Sequence, residues 1–302
     1  MRVLLTGASG TIGKSVADAL LARGDEVVAL TRDPAAARET NPTVRWHAWN
    51  PTLERPPEAA FDGVDGVVNL AGEPINQRWT EDAKERIMSS REVATHNLVQ
   101  GIVAADPRPQ VLVSQSAVGY YGDRGEALVD EETGPGDSFD AAVCVAWEAA
   151  AHEVEGSGVR LAIMRTGLVL DRSSGLLAEL MTPFKLGLGG PIAGGQAFMP
   201  WISLADEVGM ILWALDTEAA SGTFNATAPE PVTNREFTKA LGKALGRPAI
   251  VPVPKLVLKL RLGNEFADTA VAGQRALPRR AQDLGYRFKH ADIASALAAT
   301  LS

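Results

Sequence analysis

Three glycines near the N-terminus constrain the fold most. They follow a short apolar run at 2–6 and precede a segment whose apolar residues recur at helical spacing. Where a strand ends and a helix begins, such glycines let backbone N–H groups and the positive helix end meet a pyrophosphate. The same spacing also marks ordinary tight turns. Its placement here favours a dinucleotide-binding loop, formed by Gly7, Ser9, Gly10, Thr11, Ile12 and Gly13.

Strand-like and helix-like segments alternate through the N-terminal half of the chain. Apolar runs lie at 2–6, 26–31, 44–49, 66–70, 110–114 and 160–165, with helix-like segments between 81 and 104 and between 140 and 155. This alternation predicts right-handed crossovers and a mostly parallel sheet covered on both faces. We expect an α/β fold with a doubly wound parallel (Rossmann) sheet at 1–170. The glycine- and proline-rich residues 171–302 are predicted to form mainly a smaller C-terminal substrate lobe.

The end of the second strand indicates which dinucleotide binds. An Asp or Glu at this point suits the ribose 2′-hydroxyl of NAD, whereas an Arg suits the 2′-phosphate of NADP. Thr31 and Arg32 lie there, so we predict NADP(H) as the cofactor. Asp33 follows at once and favours NAD instead. A solvated loop charge is the structural alternative for Arg32.

Charge and cysteine content exclude several kinds of partner. A net charge of −8 over 302 residues lacks the basic face that a nucleic acid or an anionic membrane requires, although a local basic pocket stays possible. The single Cys144 and four scattered histidines offer no disulfide and no metal-ligand spacing. The N-terminal apolar stretch is too short for a signal peptide, and no run approaches the roughly 18 apolar residues of a membrane span. We expect a cytoplasmic protein with a small-molecule substrate and no metal. The sequence does not indicate the oligomeric state.

Motifs along nearly the whole chain resemble one atypical branch of the extended short-chain dehydrogenase/reductase family, the "epimerase family" proteins similar to human SDR family 39U. The motifs are Thr6 to Gly13, Thr31-Arg32, residues 69–73, Arg78-Trp79, Ser90-Arg91, and residues 116–121, 147–151, 165–170, 183–191 and 201–203. Near the C-terminus, residues 246–248 and 252–254 and Gln274-Arg275 with Pro278 continue the match. The resemblance implies NADPH binding by residues around Arg32, Leu70, Ala71, Gly72, Arg91 and Val169. A plain surface arginine is an equal alternative for Arg91.

The chain departs from that family at the catalytic pair. Family members transfer hydride with a Tyr-x-x-x-Lys pair on one helix, whose lysine lowers the tyrosine pKa. The corresponding positions here hold Val143 and Trp147 or, shifted by one, Cys144 and Glu148. A nearby carboxylate raises the pKa of a thiol and does not activate it. We therefore interpret the second pair as a small buried cysteine and a helix-surface glutamate.

Ser116, Tyr120 and Tyr121 are the best remaining polar groups near the expected nicotinamide. A tyrosine without a cation partner keeps a pKa of about 10, so it donates a proton but is a poor base. Packing of the aromatic pair is an equal alternative.

Two functions follow from these features. One is an NADP(H)-dependent oxidoreductase or epimerase-like enzyme with an unconventional proton donor. The other is an NADPH-binding sensor or scaffold without catalysis. A nucleotide-sugar epimerase of the usual kind is disfavoured, because its reaction needs the missing base.

Overall fold

The computed structural model describes residues 1–302, apart from the side chain of Leu262. The strands are β1 (Arg2–Thr6), β2 (Glu26–Thr31), β3 (Arg45–Ala48), β4 (Gly66–Asn69), β5 (Val111–Ala117), β6 (Leu128–Val129), β7 (Arg160–Thr166), β8 (Leu168–Leu170), β9 (Phe198–Met199), β10 (Trp201–Ser203), β11 (Gly222–Ala226), β12 (Val232–Thr233) and β13 (Arg275–Ala276). The helices are α1 (Thr11–Ala22), α2 (Pro34–Thr40), α3 (Glu81–Ser89), α4 (Glu92–Ala104), α5 (Phe139–His152), α6 (Gly175–Lys185), α7 (Leu204–Asp216), α8 (Asn234–Ala244), α9 (Lys255–Leu262), α10 (Asn264–Thr269), α11 (Arg279–Asp283) and α12 (Ile293–Leu301). Short 3-10 helices lie at Glu58–Phe61 and Val118–Tyr121.

Seven parallel strands form the central sheet in the order β11-β7-β5-β4-β1-β2-β3. The chain winds outward from β1 in one direction and from β4 in the other. Such a reversal leaves a crevice at the carboxyl ends of the two central strands, where ligands bind in open α/β sheets. The prediction of a doubly wound parallel sheet is confirmed.

Apolar layers cover both faces of the sheet, which explains why its inner strands are continuously apolar. In β1, Val3 and Leu5 face one layer together with Val16 and Leu20 of α1. Leu4 faces the opposite layer, which contains residues of α4. A third cluster joins α6, α8, β10 and α12 in the C-terminal lobe. The sheet and the lobe therefore have separate apolar cores.

Two boundaries differ from those expected. The segment between 81 and 104 contains two helices, because α3 ends at Ser89 and α4 begins at Glu92. The sheet crosses the predicted division at residue 170, because the chain returns to it with β11 after α7 packs against the first apolar layer. Residues 204–226 thus belong with the sheet and not with the lobe.

Two kinds of feature are absent from the part of the chain that the structure describes. None of its helices combines the length and apolar character that a membrane crossing requires. Its His, Cys, Asp and Glu side chains form no cluster of three or more suited to a metal ion.

Candidate cofactor and active site

Of the three glycines of the loop, only Gly10 has space beside it for a side chain. Gly7 has a φ of +66°, and a Cβ there would lie 2.8 Å from the Leu70 carbonyl carbon. A Cβ on Gly13 would overlap the Gly7 carbonyl oxygen and lie 2.8 Å from Ala8 Cα. At Gly10 the nearest such atom is the Gly7 oxygen, at 3.4 Å. Packing therefore requires Gly7 and Gly13, whereas the space beside Gly10 is open.

The N-terminus of α1 borders that open space. Gly10 is its N-cap residue, and no side chain caps the helix. The first backbone N–H groups of a helix lack partners within the helix, and they attract anions. An uncapped helix end beside an open glycine is suited to a pyrophosphate, so the residues present match a dinucleotide.

A buried hydrogen-bond network fixes the ends of β1 and β4 against each other. The Thr6 hydroxyl donates to Asn69 Oδ1 at 2.8 Å and accepts from the backbone N–H groups of Leu70 and Ala71, both at 3.0 Å. Asn69 Nδ2 donates to Thr95 Oγ1 of α4 at 2.9 Å. The Leu70–Ala71 backbone is thereby held beside the glycine loop.

Arg32 and Asp33 have different roles at the end of β2. Asp33 Oδ1 accepts hydrogen bonds from the backbone N–H groups of Ala35 and Ala36, both at 3.1 Å, and so caps α2. Arg32 is exposed, and it takes part in none of the ion pairs formed by the described residues. The carboxylate is thus occupied by the helix, while the guanidinium stays available.

A cleft of about 300 Å³ lies at the carboxyl edge between β1, β2 and β4. It brings together eight of the predicted residues, namely Gly7, Ser9, Gly10, Thr31, Arg32, Leu70, Ala71 and Gly72. It also includes Thr6, Glu73 and Ser90, which lie in the quoted motifs but were not assigned to the cofactor, and Leu30, Trp49 and Pro51, which the motifs did not single out. Trp49 and Pro51 follow β3, so their position at a strand end was the one available signal.

Five other residues predicted to bind the cofactor lie outside the lining of this cleft, namely Arg91, Thr11, Ile12, Gly13 and Val169. The Thr11 hydroxyl donates to Ser174 Oγ at 2.9 Å, just before α6. Ile12 and Val169 pack against the first apolar layer, and Gly13 is buried within α1. Their assignment to the cofactor stays a prediction.

Arg91 lies beside the cleft on the α5 side. Its guanidinium carbon is 5.0 Å from the centre of the Trp147 ring, and a Cβ on Gly72 would lie 3.0 Å from it. The side chain donates to the Ile87 carbonyl oxygen at 3.1 Å. Burial lowers the pKa of the Arg91 guanidinium. Arg91 is therefore a partly desolvated cation stacked on an indole, and not a plain surface arginine.

The expected helix-surface position of Glu148 is wrong. Glu148 is buried, and its two carboxylate oxygens accept from Arg165 Nε and Nη2, both at 2.8 Å. The Ser116 hydroxyl donates to Glu148 Oε1 at 2.7 Å. Burial is the largest single effect and lowers the pKa of Arg165, but the hydrogen bonds and charges of Glu148 and Tyr121 together outweigh burial, so the pKa lies above its ordinary value. The glutamate faces the sheet because β7 supplies its cation there.

The two tyrosines differ in how their hydroxyls are engaged. Tyr121 is fully buried; its hydroxyl donates to Asn225 Oδ1 at 2.6 Å and accepts from Arg165 Nη1 at 3.1 Å. Burial raises the pKa of Tyr121 to about 12. Tyr120 is half-buried, with the Arg165 guanidinium carbon 3.4 Å from its ring centre. Among the described residues, no group hydrogen-bonds to the Tyr120 hydroxyl, which leaves it available as a proton donor.

Cys144 is buried beside this network. Burial, and after it the charge of Glu148, raises the pKa of the thiol to about 12. The cysteine therefore stays a neutral thiol near neutral pH, as a small packed residue does.

A doubly wound sheet with an open glycine loop at its central crevice defines a Rossmann-type dinucleotide-binding protein. The profile of the NAD dependent epimerase/dehydratase family matches residues 3–227, and a domain of unknown function, DUF1731, matches residues 253–300. The chain belongs to the NAD dependent epimerase/dehydratase family. The resemblance inferred from the motifs is confirmed.

Relatives match the chain over almost its full length. Epimerase family protein SDR39U1 from Bos taurus is 38% identical over 98% of this chain and 98% of its own. The crystal structure of human epimerase family protein SDR39U1 (isoform 2) with NADPH has a TM-score of 0.90 and 34% identity, and the match covers 99% of each chain. The nucleoside-diphosphate sugar epimerase from Corynebacterium glutamicum has a TM-score of 0.80 and 32% identity, covering 100% of this chain and 58% of that one.

Proposed function

We propose that the chain binds NADP(H) in the cleft and acts as an NADP(H)-dependent oxidoreductase or epimerase-like enzyme. One observation carries the choice of cofactor: Arg32 forms no ion pair with the residues that the structure describes, while the neighbouring Asp33 caps α2. A free guanidinium suits a 2′-phosphate, because it can donate two parallel hydrogen bonds to it. The NADPH in the structure of the human relative supports the proposal.

Each part of the cofactor has a candidate partner. Gly10 and the uncapped end of α1 would hold the pyrophosphate, and the Leu70–Ala71 backbone would hold a ribose. Arg91 adds a cation beside Gly72. The nicotinamide, when bound, supplies the hydride. The chain has to bind the cofactor, orient it and move one proton.

Proton delivery depends on Ser116 and the two tyrosines in this proposal. The Ser116 proton is directed at Glu148, and the Tyr121 proton is directed at Asn225. The Tyr120 hydroxyl is free of such bonds among the described residues, and it follows β5, whose carboxyl end lies at the ligand-binding edge. Tyr120 is therefore the leading proton donor, with Ser116 and Tyr121 holding the surrounding network.

A screen of carbonyl compounds for NADPH oxidation tests this assignment. Once a substrate is found, turnover is compared for Ser116→Ala, Tyr120→Phe, Tyr121→Phe and Cys144→Ala. We expect the largest loss of kcat in Tyr120→Phe and nearly full activity in Cys144→Ala. Loss of turnover in the cysteine variant alone would overturn the assignment.

A second candidate function is a non-catalytic NADPH-binding sensor or scaffold. The satisfied hydroxyls of Ser116 and Tyr121 and the absence of a Tyr-x-x-x-Lys pair favour it. Tight NADPH binding without turnover across a broad screen would select this function. A cytoplasmic location, expected from the low cysteine content, is compatible with both proposed functions.

A further inference from the structure

One arginine of the C-terminal region is held rigidly without a partner for its charge. Arg275 of β13 is half-buried, and its Nε atom is enclosed without a hydrogen-bond partner. None of the ion pairs of the described residues includes it. Carboxylates are not scarce, because the chain has 37 Asp and Glu against 29 Lys and Arg. The two Nη nitrogens are not enclosed in this way, so a ligand can reach that end of the guanidinium.

The residues around Arg275 fix its position. Gln274 is buried, and its Nε2 donates to the Gly122 carbonyl oxygen at 2.9 Å. Ala276 is fully buried and packs with Val118 and Tyr121. The Arg275 guanidinium carbon lies 4.9 Å from the centre of the Phe198 ring, which restricts the plane of the guanidinium. A charged group on such a pre-organised scaffold loses little side-chain entropy when it binds a ligand.

Contacts on both sides place β13 near the carboxyl edge of the sheet. The Thr227 hydroxyl, directly after β11, donates to the Ala276 carbonyl oxygen at 3.4 Å. Asn225, which accepts from the Tyr121 hydroxyl, donates to the Leu277 carbonyl oxygen at 3.0 Å. Arg275 therefore belongs to the segment that lies next to the Tyr120–Tyr121 turn.

We propose that Arg275, stacked on Phe198, binds an anionic group of the substrate. The inference rests on the proposed function and adds a substrate class: a carbonyl or hydroxyl compound that carries a carboxylate or a phosphate. Both anions present paired oxygens that accept from a guanidinium edge. The anion pairs with the Nη nitrogens of the guanidinium and anchors the substrate beside the proton-donor turn.

The test uses the NADPH-loaded protein, so that Arg32 is engaged by the cofactor and does not bind the added anion. Thermal unfolding midpoints are measured against inorganic phosphate and, separately, acetate, with sodium chloride holding the ionic strength constant. A bound anion raises the midpoint in a saturable way. We expect this rise in the unmodified protein, and an apparent anion affinity at least about tenfold weaker in Arg275→Gln. A response to phosphate alone identifies a phosphorylated substrate, and a response to both anions includes carboxylates.

Two further variants make the result decisive. Arg287→Gln removes an exposed arginine of the same region and should respond like the unmodified protein. Arg275→Lys keeps the positive charge but lacks the planar guanidinium, so its unfolding midpoint should rise less on addition of the anion. This variant replaces Arg275→Gln if Arg275→Gln does not fold. An equal rise in all variants, or none in the unmodified protein, overturns the subsite. If the protein instead fails to bind NADPH, the proposed function fails first, and the two failures stay distinguishable.

Discussion

Gly10 and Gly13 belong to one glycine motif, but different constraints require a glycine at the two positions. Because the space beside Gly10 is open and its backbone is extended, Gly10→Val should fold and fill the room that a pyrophosphate needs. We expect NADPH affinity to fall by about a hundredfold or more, equivalent to about 2.7 kcal/mol. Fluorescence titration measures the affinity, and urea denaturation should show nearly unchanged stability.

Gly13→Ala is the matched control for that variant. Its Cβ meets backbone atoms that cannot move away, so it should lower the free energy of unfolding itself. If Gly10→Val binds NADPH normally, the loop is not the pyrophosphate site.

Glu207 makes stability depend on pH. It is fully buried on α7, its Oε1 accepts from Gln115 and Thr166, and its Oε2 has no partner among the described residues. Burial raises its pKa from 4.5 to about 7, and the hydrogen bonds only partly oppose this. Because the folded pKa lies above the unfolded one, the stabilising contribution is complete below about pH 4.5 and is lost as the pH rises to about 7.

Glu207→Gln should remove the loss of stability with rising pH, because an amide does not titrate. At about 1.4 kcal/mol per pH unit, the variant should gain about 3 kcal/mol relative to the unmodified protein between pH 4.5 and pH 8. Urea denaturation at several pH values measures the difference. Glu218→Gln, an exposed residue just after the same helix, should show no such trend. Parallel pH profiles for Glu207→Gln and the unmodified protein would exclude a buried titrating carboxyl.

Residue roles were predictable where they depend on the local chain. The glycine loop is such a case, since it follows from the order strand, turn, helix. Glu148 was misread because its partner Arg165 lies 17 residues away on another element, and only folding brings them together. Tyr121 and Asn225 are 104 residues apart, and no local pattern marks that pair.

At the scale of elements, Asp206 joins the C-terminal segment to α7. It is fully buried, and its carboxylate accepts from the backbone N–H groups of Lys289 and His290 at 2.7 Å and 3.0 Å and from the Ser203 hydroxyl at 2.7 Å. Asp206→Ala leaves these donors without acceptors. We expect it to lower the free energy of unfolding by about 2–5 kcal/mol, measured by urea denaturation.

Asp292→Ala provides the comparison for Asp206. Asp292 caps α12 in an exposed position, so its loss should cost only about 1 kcal/mol. Limited proteolysis should also release the segment after residue 285 faster in Asp206→Ala alone. Equal stability and proteolysis of the two variants would contradict the anchoring role.

Elements were predicted best where the sheet is buried on both faces. β1, β2, β5 and β7 each contain three or four consecutive apolar residues, which the sequence displays directly. β11 lies at the edge of the sheet and reads Gly-Thr-Phe-Asn-Ala, so its pattern is mixed and it was missed. The return of the chain to the sheet after residue 170 was not foreseen for the same reason, because β11 carries no strong apolar signal.

Across the whole molecule, three arginines that were considered above share a position near one edge of the sheet. The net charge is −8, yet Arg32, Arg91 and Arg275 take part in no ion pair among the described residues. Each lies on a segment at or near the carboxyl edge of the sheet. Unpaired cations along one edge of an acidic protein attract anionic ligands there. This distribution agrees with a phosphorylated cofactor and an anionic substrate.

The central claim is that Arg32 makes this cleft a site for NADP(H). Titration of the unmodified protein with NADPH and with NADH tests it most directly, and Arg32→Ala serves as the companion variant. We predict that NADPH binds at least about tenfold more tightly than NADH, a difference of about 1.4 kcal/mol, and that Arg32→Ala removes most of this preference. Equal affinities of the unmodified protein for the two cofactors would contradict the claim.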